Sequence, residues 1–148
     1  MHETLITLQG YVGGDVRIRS AGDTEVATFR VACTPRRWSR RDQSWVDAPT
    51  QWYAVNCWRA LAHHVDRSVR RGDPVVVHGR LSPNAWTNSE GVEVVTYEVE
   101  AQFVGHDLNR GTTSFTKRVR QAPAQGDAGA PAAPQPGTPV DLSDTAAA

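Results

Sequence analysis

Residues 52–81 read WYAVNCWRALAHHVDRSVRRGDPVVVHGRL, and the spacing of their apolar positions changes twice. The first seven residues alternate as a strand does, with Tyr53, Val55 and Cys57 on one face and Trp52, Ala54, Asn56 and Trp58 on the other. The spacing then turns helical: Leu61, Val65 and Val69 fall four apart and make one apolar stripe. Arg67, Arg70 and Arg71 lie off that stripe near its C-terminal end, where cations suit the helix dipole. Gly72 and then Asp73-Pro74 supply the helix stop, and VVVHGRL (75–81) returns to strand.

Outward from this unit the pattern is β throughout. LITLQGYV predicts a strand from about Leu5 to Val12; Gly13-Gly14 break it, and Val16 and Ile18 continue it in alternation with Arg17 and Arg19. EVATFRVAC (25–33) puts Ala27, Phe29, Val31 and Cys33 on one face and Thr28 and Arg30 on the other. VVTYEVEAQFV (94–104) puts Val95, Tyr97, Val99, Ala101 and Phe103 on one face. Three strands, one helix and two strands match an all-β, five-stranded OB-fold barrel with its helix between the third and fourth strands. Residues 1–108 form this domain. Residues 109–121 read either as a weak basic extension or as the start of the tail, and 122–148, rich in Ala, Pro and Gly, lack the apolar surface to offset their ordering entropy and are expected to be disordered.

Lys and Arg number 16, as do Asp and Glu, so the chain lacks the bulk positive charge of the simplest nucleic-acid binders. The charge is patterned instead: five arginines and one acid, Asp42, lie between Arg30 and Trp45. With no secretory pattern at the start and no apolar run of bilayer length, a cytosolic protein is expected. Cys33 and Cys57 have no metal-type spacing and read as small buried apolar residues, a disulfide being the alternative. His63 and His64 are adjacent and cannot share a helix face, so no metal site is expected there. No phosphate-cradling loop or nucleophile–base pattern occurs; neither catalysis nor a cofactor is expected. Asp15, Asp73 and Asp107 stand at turns and element ends, where capping is their default role.

The tryptophans carry the functional signal. The apolar face of residues 52–58 is the core face, so Trp52 and Trp58, with Asn56 between them, project outward. Trp38 lies between Arg36-Arg37 and Arg40-Arg41, a setting at odds with burial. Trp45, followed by Val46 and beyond the arginines, reads as a loop aromatic tucked against its own domain. Trp86 falls in the polar loop SPNAWTNSEG (82–91) as an exposed aromatic. Aromatics interleaved with Arg30, Arg36, Arg37, Arg40 and Arg41 suit a strip-like polyanion whose bases stack, that is, a single nucleic-acid strand. An RNA-preferring domain would need contacts to the 2′-hydroxyl. A sugar-binding platform would use the tryptophan faces but has no need of the arginines.

Several stretches resemble the bacterial single-stranded DNA-binding protein family. GYVGGDVRIR (10–19) is similar to its opening strand and glycine turn, and TPRRWSRRDQSW (34–45) to its Arg-Arg-Trp loop. TQWYAVNCWRALA (50–62) resembles its third strand, and GDPVVVHGRLSPNAW (72–86) its fourth strand with the Trp beyond. The resemblance runs from about Thr4 to Asp107. It implies stacking by Trp38, Trp52, Trp58 and Trp86, phosphate contacts from Arg36, Arg37 and Arg80, a homotetramer, and a nucleoid-associated place in the cytoplasm. Two features depart from the family: Tyr53 stands where many members carry His at a subunit contact, and VDLSDTAAA (140–148) replaces the usual acidic, aromatic-tipped end. The chain thus resembles a tail-variant second paralogue of high-GC bacteria, for which the usual tail-docking partners are not expected.

Overall fold

The computed structural model describes residues 2–120. The disorder expected for 122–148 lies outside the described residues, as does Gln121 at the end of the basic extension. The residues through Ser114 belong to one compact unit. Its strands are β1 (Leu5–Val12), β2 (Arg17–Ala21), β3 (Thr24–Cys33), β4 (Arg36–Ser39), β5 (Ser44–Asp47), β6 (Gln51–Trp58), β7 (Pro74–Thr87) and β8 (Glu93–His106). The single helix α1 (Ala60–Ser68) lies between β6 and β7.

Five strands close a ring. The sheet order is β1-β7-β8-β6-β3-β2, and β1 pairs back onto β3 through Tyr11 with Ala32 and Val12 with Val31. All ring pairings are antiparallel except β6 with β8, which run parallel with Val55 opposite Val99. This is the expected OB barrel with the helix in the expected place. The short strand β2 lies outside the ring as an edge on β3. Burial follows the predicted alternation: Ala27, Phe29, Val31, Val55, Cys57, Val75, Val77 and Val99 are all buried in one cluster. Val65 and Val69 plug it from the helix side, together with Ala62, and Leu61 packs at its margin. The helix ends at Ser68, with Val69 already extended, four residues before the Gly72 and Asp73 expected to stop it. Arg70 completes the end, its guanidinium donating to the carbonyls of Asp66 (2.6 Å), Arg67 (3.1 Å) and Val69 (3.0 Å), groups left without intrahelical partners.

Four expectations are corrected by the structure. The segment after Cys33 is not a plain loop: β4 and β5 pair as a separate two-stranded hairpin. The fourth and fifth strands run on past the barrel, so β7 and β8 remain paired as far as Thr87 and Glu93. Val95 and Tyr97 share the face of Val99 but lie in this extension, beyond the core, and stay exposed. Phe103 is also exposed, because the register slips between His78 and Gly79: Gly79 pairs with Ala101 and His78 with Phe103. The skipped Gln102 reverses the phase, as a bulge does, and Phe103 stacks on His78 outside the barrel with ring centroids 4.8 Å apart. Gly79 makes the crossing possible, since a Cβ there would come within 2.2 Å of the Glu100 carbonyl oxygen.

Of the two cysteines only Cys57 is fully buried; Cys33 is partly so, and both are free thiols. Among the described residues no helix is long and apolar enough to cross a membrane.

Candidate nucleic-acid interface

Because Tyr53, Val55 and Cys57 face the core, β6 turns Trp52, Ala54, Asn56 and Trp58 outward. Trp52 is 47% exposed and Trp58 40%. The Trp52 indole lies over the backbone of Gly13, and the Arg30 guanidinium sits 4.6 Å from its ring centroid. That cation–π contact puts a cation beside an aromatic face. Arg30 reaches Trp52 because it occupies the outer face of β3, opposite Ala54.

Trp58 is fixed differently. Its Nε1 donates to Glu100, whose carboxylate also accepts from Asn56 Nδ2 at 3.5 Å. Asn56 Nδ2 donates to Glu98 at 3.1 Å, Asn84 Nδ2 donates to the other Glu98 oxygen at 2.8 Å, and Thr28 donates to Asn56 Oδ1 at 2.9 Å. One polar network thus crosses β3, β6, β8 and β7 on the outer face and holds two carboxylates between the tryptophan strand and the β7 arm. Sequence reasoning missed this network. Alternation places Glu98 and Glu100 outward, but only the parallel register, Ala54 to Glu98 and Asn56 to Glu100, shows that they border the tryptophans. Gly13 was likewise read as a strand breaker, and nothing local signals that an indole lies on it.

On the hairpin, Trp38 and Trp45 are cross-strand partners, edge to face, with centroids 5.9 Å apart and planes at 72°. Trp45 was expected to tuck against its own domain. It is instead 59% exposed, the most open of the tryptophans, because β5 pairs only with β4 and leaves no core for it to enter. Trp38 is 51% exposed. Arg36 pairs with Asp47 at 3.2 Å and donates to the Trp45 carbonyl, bracing the hairpin. Arg37, Arg40 and Arg41 form no ion pair with the described residues and are exposed. Trp86, 47% exposed, lies within the β7 extension opposite Val94 and not in a loop, a second correction of the same kind. Arg80 is held by Glu3 at 3.2 Å and lies opposite Glu100 in register.

Burial, with a smaller contribution from the Glu100 carboxylate, pushes the Cys57 thiol up to about 12, which leaves it protonated and inert. Among the described residues no three His, Cys, Asp or Glu side chains gather to hold a metal. His63 instead meets Glu25 at 2.7 Å. Asp73 and Asp107 serve as caps, accepting from the backbone N–H of Arg70 (2.9 Å) and Asn109 (3.0 Å).

The same fold is found in solved proteins of similar sequence. The model of the single-strand binding protein family matches residues 4–107. The chain belongs to the single-strand binding protein family. Among the family's curated members, single-stranded DNA-binding protein 2 of Tropheryma whipplei is 37% identical over 123 residues, covering 82% of this chain and 80% of that protein. The protein of the same name from Streptomyces avermitilis is 38% identical over 136 residues, covering 92% of this chain and 84% of that one. The crystal structure of the small single-stranded DNA-binding protein from Streptomyces coelicolor superposes with a TM-score of 0.68 at 34% identity, covering 75% of this chain and all of that one. The family's high-GC members that carry the designation 2 agree with the second-paralogue resemblance read from the sequence.

Proposed function

We propose that this chain binds single-stranded DNA with tolerance for sequence and covers strands exposed during replication, repair or recombination. The observation that carries the reading is the rank of half-exposed tryptophans on the outer face of β6, within a family whose curated relatives are named for this binding. Bases stack on Trp52 and Trp58 of the barrel, on Trp38 of the hairpin and on Trp86 of the β7 arm. Each stacked base contributes roughly 1–3 kcal/mol, and the interaction is blind to sequence because every base has a π-face. Arg30, Arg36, Arg37, Arg40 and Arg41 supply phosphate contacts, Arg36 by exchanging Asp47 for a phosphate. Arg80 joins them only by leaving Glu3. The protein works as a homotetramer in the cytoplasm, with no catalytic step. Residues 122–148 are not needed for binding, since they contain neither an aromatic nor a cation.

The test is a tryptophan-fluorescence titration with poly(dT) at several salt concentrations. Quenching that weakens as salt rises is the expected result. An unquenched signal at low salt removes the tryptophans from any strand-binding role, and salt-insensitive binding points to an uncharged ligand. The same titration with poly(U) separates DNA from RNA preference, and removal of residues 122–148 is expected to leave affinity unchanged.

A further inference from the structure

The outer face of the sheet is electrically divided, and the division follows from strand register. In antiparallel pairs, residues directly opposite one another share a face. Arg19 lies opposite Val26, which lies opposite Trp58. Arg17 lies opposite Thr28, which lies opposite Asn56, and Asn56 in turn neighbours Glu100 across the parallel pairing. Arg30 lies opposite Ala54, which neighbours Glu98. Read across the sheet, the rows through Asn56 and Ala54 pass from arginine on β2 or β3, through the tryptophan strand β6, to carboxylate on β8; beyond Glu100 the next cation, Arg80 on β7, is engaged by Glu3. Strands stand about 4.8 Å apart, so β2 lies about 10 Å to one side of the tryptophans, while the carboxylates adjoin them on the other.

Both flanks are held in place. Glu98 accepts from Asn56 and Asn84, and Glu100 from Trp58 and Asn56, which keeps the carboxylates on the face and at its centre. Arg17 and Arg19 are exposed on an edge strand, form no ion pair with the described residues, and as alternate residues of one strand are about 7 Å apart on one face. A strand whose bases reach β6 has its phosphates on one side or the other. On the β8 side they meet two fixed negative charges; on the β2 side they meet Arg17, Arg19 and Arg30.

We propose that Arg17 and Arg19 on β2, continued by Arg30 on β3, form a rail for the sugar–phosphate backbone of a bound single strand. Glu98 and Glu100 deny that backbone the opposite flank, so the strand lies with its phosphates over β2–β3 and its bases across β6. Val26 fits this arrangement: it lies on the same outer face yet is fully buried, between Arg19 and Trp58 in register, so the rail and the stacking surface meet over one apolar residue. The inference rests on the proposed single-strand binding and adds to it two contacts and a direction across the sheet.

The experiment titrates the full chain with a 35-residue oligo(dT) by tryptophan quenching at four salt concentrations. Arg17→Gln/Arg19→Gln is expected to weaken binding and to flatten the log–log salt slope by about 1.4, two contacts at about 0.7 each for single strands. Arg17→Lys/Arg19→Lys, which keeps both charges, is expected to retain the slope. Arg67→Gln/Arg71→Gln removes the same charge at the helix and is expected to leave the slope unchanged. A wild-type slope in Arg17→Gln/Arg19→Gln overturns the rail, and so does equal flattening in the helix variant, which would make the effect one of net charge. If the unaltered chain neither binds nor quenches, the binding reading itself falls. Thermal melts of each variant separate lost contacts from lost fold, and the single variants Arg17→Gln and Arg19→Gln, each expected to flatten the slope by about 0.7, keep the test decisive should the glutamine pair destabilise β2.

Discussion

The six-membered ring of Trp52 lies on Gly13, so near that a Cβ on residue 13 would come within 2.3 Å of the ring's Cζ3 and 2.8 Å of Cη2. The backbone turn after β1 is thus the floor on which a β6 tryptophan rests. Gly13→Ala is expected to lift the indole from that floor, shift the tryptophan emission, and weaken oligo(dT) binding by about 1 kcal/mol, the lower end of one stacked base. Emission spectra and a titration of the variant check this; an unchanged spectrum would mean the ring has room the structure does not give it.

Trp52→Ala and Trp58→Ala each remove a stacking surface while leaving the core face of β6 intact. Each is expected to weaken poly(dT) binding by roughly 1–3 kcal/mol with little change in melting temperature. Glu100→Gln tests the anchor of Trp58: the amide oxygen still accepts from Nε1 but the charge is gone, so affinity is expected to hold or rise. A clear loss would show that the carboxylate serves the ligand directly.

At the β-bulge, Gly79→Ala drives a methyl group into the Glu100 carbonyl, and both sides of that contact are backbone. The ring pairing of β7 with β8 is expected to loosen, lowering stability by about 1–3 kcal/mol in urea unfolding. A variant as stable as the parent would mean that the two strands separate there without cost.

Asp73 ties the end of α1 to the end of β8, accepting from the Arg70 N–H and meeting His106 Nε2 at 2.9 Å. Burial alone would raise its carboxyl, but the Arg70 bond and then the His106 contact outweigh that and hold it below the usual range. A carboxylate depressed in the folded state stabilises fully above its unfolded value of about 3.9, and that contribution is lost as pH falls through the folded value. Asp73→Asn is expected to cost about 1 kcal/mol at pH 7, with the gap to the parent closing below pH 4. A gap constant from pH 7 to pH 3 would assign the effect to shape instead of charge.

Cys33 and Cys57 are expected to separate in thiol titration. Burial raises both thiols, Cys57 the further, to about 12. With a disulfide reagent at pH 8, Cys33 is expected to react slowly in the folded protein and Cys57 only after denaturation. Rapid reaction of both would contradict the buried position of Cys57.

The barrel was legible because period-two alternation and one helical stripe are properties of short segments, and Val55, Cys57, Val65 and Val99 fall where those patterns put them. The outward position of Trp52 and Trp58 follows from the same alternation. What stayed hidden depends on neighbours distant in the chain. The bulge that turns Phe103 outward is set by the meeting of Gly79 with the Glu100 backbone. The exposure of Trp45 depends on a hairpin that pairs with nothing else, and Trp86 lies in a strand only because β8 extends alongside it. The acids beside Trp58 and the arginines opposite Val26 and Thr28 became part of one surface only when register assigned their rows.

The parallel contact of β6 with β8 also has a consequence in time. β1 finds β7 only after some sixty intervening residues, and the ring closes only when β8, the last strand, docks against β6. Such pairings repay their loop-closure entropy late, which places folding among the slower, millisecond-to-second cases. A chain emerging from the ribosome therefore presents its tryptophans and arginines before it has a barrel to mount them on, and becomes competent to hold a strand in one step, when residues 93–106 arrive.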